Sequence, residues 1–214
     1  MADFNFKIIQ VTPADKQRIG AFLHVAYYPD DPVLNAMRVD EVDPGQDEHV
    51  LGIIDDGYSY AAVDDNGMIL GVLLMGEVNR DCYSNRRKEM EKCSSEYFLK
   101  LLKFYETMEL GAKILEVSQY DKGIEFHIAA VLPKARRKGI LRALFQHGTE
   151  VAKNSGYKLV ICTCASQFTA NLCQSLQWSC VYCLPYIYFE QDGERVFKNP
   201  ISPHLYTRIY TRYL

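Results

Sequence analysis

The segment from Ile124 to Cys164 constrains the fold of this chain more than any other stretch. Ile124–Val131 alternates like a strand, Pro133–Lys138 is a basic turn, Gly139–Asn154 reads as a helix, and Lys158–Cys164 is again strand-like. The helical stripe is Ile140, Leu141, Leu144, Phe145 and Val151, spaced near 3.6 residues, and Gly156 ends it. A strand, a helix and a strand in that order require a parallel pair joined by a right-handed crossover.

The flanks add antiparallel neighbours. Phe6–Val11 reads as a first strand. Thr12 is a candidate N-cap and Pro13 a first helical residue, followed by the stripe Ile19, Phe22, Leu23 and Ala26. Pro29 stops that helix, and Asp30-Asp31-Pro32 reads as a turn. A second helix is expected in Gln46–Asp55. Tyr58–Val63 and Met68–Val78 flank Asp64-Asp65-Asn66-Gly67, a hairpin signal. Asn79–Cys93 is polar and reads as a loop. Ser94 or Ser95 then caps a helix with the stripe Phe98, Leu101, Leu102 and Tyr105. Beyond Cys164, Ser166–Leu176 reads as a helix and Trp178–Glu190 as a long strand region bent at Pro185. Gln191–Glu194 reads as a turn and Leu205–Tyr213 as the last strand. The expectation is one α/β domain over 1–214, with a mixed central sheet of about seven strands and helices on both faces.

Composition excludes several function classes. Apolar residues are 48% of the 214 and charged residues 24%, too apolar for a disordered chain. No apolar run approaches the ~20 residues of a spanning helix. The net charge of −3 argues against general nucleic-acid binding. Met1-Ala2-Asp3-Phe4 shows no secretory signal, and seven cysteines without one suggest the reducing cytoplasm. Cys162 and Cys164 fall on a strand, where both face one side as small apolar residues. Paired with Cys180 and Cys183 they do not make a convincing zinc frame, so no metal is expected. A monomer or weak dimer is expected.

The chemistry sits in Val131–Leu141. A strand ends, a basic turn follows, and a helix opens at a glycine. The first N–H groups of a helix lack internal partners and lie at the positive end of its dipole. Such a turn suits phosphate or pyrophosphate, and Arg136, Arg137, Lys138 and Arg142 add charge. A solvated basic helix start is the alternative reading. In its setting the turn resembles the coenzyme A-binding motif of the GNAT superfamily of acetyltransferases, Arg/Gln-x-x-Gly-x-Gly/Ala. Arg136 matches the first position, Gly139 the central glycine, and Leu141 stands where the family has Gly or Ala. The order of elements is similar along nearly the whole chain.

The resemblance implies a GNAT fold and acetyl-CoA as co-substrate. Ile128, Ala129, Ala130 and Val131 would hold the pantetheine arm. The amides of Arg137, Lys138, Gly139, Ile140, Leu141 and Arg142 would hold the pyrophosphate, with Ser166 and Asn171 nearby. Ser166–Trp178 resembles the family's Asn-x-x-Ala-x-x-x-Tyr-x-x-x-Gly-Phe, with Ser166 for Asn, Cys173 for the Tyr acid, Gln177 for Gly and Trp178 for Phe.

Asp30-Asp31-Pro32-Val33-Leu34-Asn35 resembles the Asp-Glu-Pro-Leu-Asn of insect arylalkylamine N-acetyltransferases. This implies Asp31 as general base acting through water, with Pro32 beside the substrate, and Ser166 and Thr169 as the hydroxyls of the later helix. An alkylammonium must lose a proton before it attacks a thioester. Glu125 and His127, two apart on one strand face, are further candidates; vertebrate arylalkylamine N-acetyltransferases resemble this, with histidines at the matching places. Tyr186 and His204 are candidate pocket residues. Arylalkylamines such as dopamine, serotonin or tyramine are the expected substrates. Polyamines or agmatine, a protein or peptide amine, and a non-catalytic CoA-binding module are the alternatives.

Overall fold

The computed structural model describes residues 5–214, with the side chains of residues 83–85 and 92 left aside. The first four residues, on which the reading of no secretory signal rests, lie outside the described residues. The main sheet has seven strands in the order β1-β2-β3-β4-β5-β9-β6. They are β1 (Lys7–Gln10), β2 (Tyr60–Val63), β3 (Ile69–Asn79), β4 (Lys122–Val131), β5 (Leu159–Cys164), β6 (Ser179–Pro185) and β9 (Tyr206–Tyr213). Only β4 and β5 pair in parallel, and α7 (Ile140–Asn154) makes the crossover between them. Every other pairing is antiparallel.

Two cores flank the sheet. The first packs α1 (Lys16–Ala26), α2 (Pro32–Met37), α3 (Pro44–Gly52) and α5 (Glu96–Ala112) over one face, with Leu23, Val33, Ile54, Phe104 and Tyr186 sealed inside. The second packs α7 and α8 (Gln167–Ser175) over the other, where Leu144 and Phe145 are fully buried. Burying one such side chain contributes about 1.5–3 kcal/mol. Gly148 lets α7 approach β3, since a Cβ there would lie 2.6 Å from Met75 Sδ.

β4 changes face along its length. Ile124 and Phe126 face the second core, yet Ile128 and Ala130 face the first. The cause is a bulge: Leu74 pairs with Ile128 and Met75 with Phe126, which leaves His127 as the extra residue. One inserted residue shifts the side-chain alternation by one step.

Three segments differ from the sequence expectation. Asn79–Cys93 is not a loop, because α4 (Cys82–Lys92) occupies it. It lacks an apolar stripe and is held by ion pairs to α5, Arg86 to Glu109 and Arg87 to Glu106. Pro32, read as the end of a turn, instead starts the short helix Pro32–Met37, a stretch the sequence reading left otherwise unassigned. The region Trp178–Glu190 is not one strand. β6 ends at Pro185, Tyr186–Tyr188 form a 3-10 turn, and β7 (Glu190–Gln191) pairs with β8 (Glu194–Arg195) in a separate hairpin. The break follows from burial of Tyr186, whose hydroxyl donates to Ala165 O at 2.7 Å.

Candidate active site

β4 and β5 pair at Ile124, Glu125 and Phe126 and then part. From Thr163 to Cys164 β5 stays paired with β9, while Ile128–Val131 stays paired with β3. The β5-facing edge of Ile128, Ala129, Ala130 and Val131 is therefore open. A backbone edge of this kind can receive an extended amide chain.

That edge leads into the basic turn. After a 3-10 turn at Pro133–Ala135 the backbone reverses, with Arg137 at φ 63° and Gly139 at φ 81°. Alternating left- and right-handed residues turn successive N–H groups inward, which makes an anion-binding concavity. Gly139 is the N-cap of α7 and gives its first turn no side-chain acceptor. A Cβ on Gly139 would meet no protein atom within 4 Å, so the space in front of it is open. Ile140 is buried beneath the turn and Leu141 packs against the second core.

The basic side chains divide their work. Arg136 Nε donates to Val131 O at 3.1 Å, and its Nη2 pairs with Asp30 Oδ2 at 2.5 Å. Its guanidinium thus clamps the turn to the α1–α2 loop, whereas the sequence reading had it adding charge for the anion. Arg142 Nη2 donates to Ser175 Oγ on α8 at 2.7 Å. Arg137 and Lys138 are exposed on the turn.

The α1–α2 loop held by Arg136 carries Asp31, which is 4% exposed. Its Oδ1 accepts from the amides of Val33 at 2.7 Å and Leu34 at 3.3 Å, so Asp31 caps α2 and Pro32 starts it. Burial raises its pKa, against the lowering effect of hydrogen bonds from the Tyr27 hydroxyl and those two amides. Tyr27, Tyr105 and Tyr186 stand around it. The phenol pKa of each is raised by burial first, and the Asp31 charge adds to the rise.

The same charge reaches His204, whose pKa burial lowers. His204 Nδ1 accepts from Gln167 N at 3.1 Å, and its ring meets Phe168 edge-on. Ser166 caps α8, accepting from Phe168 N at 3.2 Å. The α1–α2 loop, the start of α8 and the approach to β9 therefore converge on one buried carboxylate. Thr169 is half-buried on α8, and Asn171 is exposed and accepts from Gln167 Nε2.

A second acidic group lies on β4. Glu125 is 8% exposed and accepts from Thr163 Oγ1 at 2.9 Å. Its pKa is raised by burial and pulled back by Arg86. Glu109 is pushed up to about 7 by burial, against the pull of Arg86. His127 Nδ1 lies 3.8 Å from Glu125 Oε2. Burial, then Arg86 and His49, push the His127 pKa down to about 3, so the imidazole is neutral and a weak base at pH 7.

Some groups were not legible beforehand. Tyr27 and Thr163 carried no motif, and Arg86 lay in the segment read as a loop. Tyr105 was read only as part of a packing stripe. Cys173, at the position of the family's tyrosine acid, is fully buried in the second core. Trp178 packs on Phe126 and Phe145, and Gln177 takes φ 62° where the family has glycine.

No protein-family model matches the chain. Solved structures do. Drosophila melanogaster polyamine N-acetyltransferase, described as forming N-acetylagmatine, superposes with a TM-score of 0.91 at 20% identity, over 98% of this chain and 100% of that one. A mosquito arylalkylamine N-acetyltransferase-like 5b gives 0.93 at 19% identity, over 98% and 100%. The chain has the GNAT acetyltransferase fold. Arabidopsis thaliana NAA60 in complex with acetyl-CoA shares the GNAT fold more distantly, with a TM-score of 0.57 at 14% identity, over 98% of this chain and 99% of that one.

Proposed function

We propose that the protein transfers the acetyl group of acetyl-CoA directly to the primary amine of a small arylalkylamine, with Asp31 as general base through water. The observation that carries this reading is continuity. The open edge of Ile128–Val131 runs into the concavity at Arg137–Leu141, and the loop clamped to that turn by Arg136 presents Asp31. The neighbours named as arylalkylamine and polyamine N-acetyltransferases support the amine as acceptor.

The backbone amides of the turn take the pyrophosphate, and the β4 edge pairs with the pantetheine amides. The ammonium substrate approaches Asp31 and the tyrosines around it, where aromatic faces favour a cation. Asp31 takes one proton by way of water, and its raised pKa makes it a better base than an exposed aspartate. The neutral amine attacks the thioester carbonyl, and a β4 backbone N–H faces the oxyanion. The intermediate collapses, the C–S bond breaks, and the coenzyme A thiolate leaves. The amine's remaining surplus proton passes to solvent or to that thiolate. No described helix is long and apolar enough to cross a membrane.

A second reading is favoured by Glu125. It is a second buried carboxylate, on β4 and accepting from Thr163 of β5, which suits the distal cation of a polyamine or agmatine. The deciding experiment is thiol release from acetyl-CoA with dopamine, serotonin, tyramine, agmatine, spermidine and a lysine peptide. Turnover confined to the arylalkylamines supports the first reading. Preference for spermidine or agmatine replaces it with the second. Binding of acetyl-CoA without turnover of any amine overturns both.

A further inference from the structure

Three thiols meet in the second core, where the acetyl transfer assigns them no role. Cys162 and Cys164 project from one face of β5, and α8 carries Cys173 over them. Cys162 Sγ is 3.6 Å from Cys164 Sγ, which is 3.7 Å from Cys173 Sγ, and all three lie within 4.8 Å of one another. Their exposures are 2%, 1% and 0%. The pairing weighed from sequence, with Cys180 and Cys183, does not form, since those two thiols are exposed.

A metal ion bonded to sulfur at about 2.3 Å holds its ligands about 3.8 Å apart in a tetrahedron and about 4.0 Å apart in a trigonal plane. Two edges of the triangle already stand within a few tenths of an ångström of those values. The group contains three sulfurs and no imidazole or carboxylate. Soft donors select soft ions. A closed zinc site takes four protein ligands, and this one offers three.

We propose that Cys162, Cys164 and Cys173 form a binding site for a soft, three-coordinate metal ion, and that monovalent copper is the occupant. Binding exchanges thiol protons, released to solvent, for metal–sulfur bonds, and no electron is transferred. The ion would tie β5 to α8 and so steady Ser166 and Gln167 at the start of that helix.

The test is anaerobic titration of the reduced protein with monovalent copper against a chromophoric copper chelator, followed by X-ray absorption. The expected result is one copper per chain with three sulfur neighbours, and a rise in Tm of roughly 5 °C or more at ligand 100-fold above Kd. Cys164→Ala should lose the copper and the Tm shift, while Cys180→Ser/Cys183→Ser keeps both. Refolding from urea with copper present removes any barrier to entry. No stoichiometric copper after refolding overturns the proposal, as does copper lost in the Cys180→Ser/Cys183→Ser protein. Four-coordinate zinc bound in preference to copper overturns the choice of ion.

Discussion

Asp31 carries two roles that a pair of substitutions separates. Its Oδ1 caps α2 through Val33 N and Leu34 N, and its buried carboxylate is the proposed base. Asp31→Asn keeps an acceptor at that oxygen, and asparagine caps as well as aspartate. It also removes the cost of burying a charge. The Asn variant should therefore fold with a Tm equal to or above the wild type. Asp31→Ala loses the cap, which costs about 1–2 kcal/mol and lowers Tm by roughly 2–8 °C in a domain of this size. Neither variant can accept the proton, so kcat/KM should fall by ~10²-fold or more in both, the range general-base catalysis contributes. Differential scanning calorimetry and thiol release at pH 7–9 read the two effects. An Asn variant that folds normally and turns over at the wild-type rate would refute the base assignment. The pH sign is equally definite. Burial raises the Asp31 pKa, so the carboxylate stability term is full below the ordinary value of 3.8 and is lost as pH rises through the raised value. The Asn variant should lack that loss.

Three further outcomes follow from particular residues. Gly139→Ala forces a side chain into φ 81° at the mouth of the turn; acetyl-CoA Kd by calorimetry should rise about tenfold or more, with a loss of about 1–2 kcal/mol in stability. Gly148→Ala would bring Cβ to 2.6 Å from Met75 Sδ and 2.9 Å from Leu73 Cδ2, and should destabilise by about 1–3 kcal/mol in urea unfolding without changing the relative preference among amines. Glu109 has its pKa raised from 4.5 to about 7, so its contribution is present below about 4.5 and lost as pH climbs through about 7. Glu109→Gln should flatten the fall of Tm across that window, and an unchanged slope would show that another group sets it.

Sequence and structure agree where a local rule suffices. Asp64-Asp65-Asn66-Gly67 fixes its hairpin, with Asp64 Oδ1 accepting from Asn66 and Met68. Ser95 and Ser166 cap the helices they precede, and the stripe of α7 faces its core. α4 escaped because its order comes from Arg86 and Arg87 reaching acids on α5, which no periodicity within α4 reveals. The strand after Trp178 was read too long because Tyr186 leaves the sheet to be buried and to reach Ala165 O across 21 residues of chain.

For the proposed site, the sequence by itself marked out the candidate cofactor side. A strand, a basic turn and Gly139 opening a helix are contiguous, and backbone chemistry makes them an anion cradle wherever they fold. The proposed amine side depends on tertiary structure. Tyr27, Asp31, Glu125, Thr163, Tyr186 and His204 come from separate elements, and only the packed sheet lets one buried charge act on its distant neighbours. The bulge at His127 is the same kind of fact: one inserted residue, set by pairing with β3, turns Ile128 and Ala130 to the first core. Local sequence specifies which groups are available; burial and long-range pairing specify which of them share a low-dielectric space, and that space shifts their proton affinities.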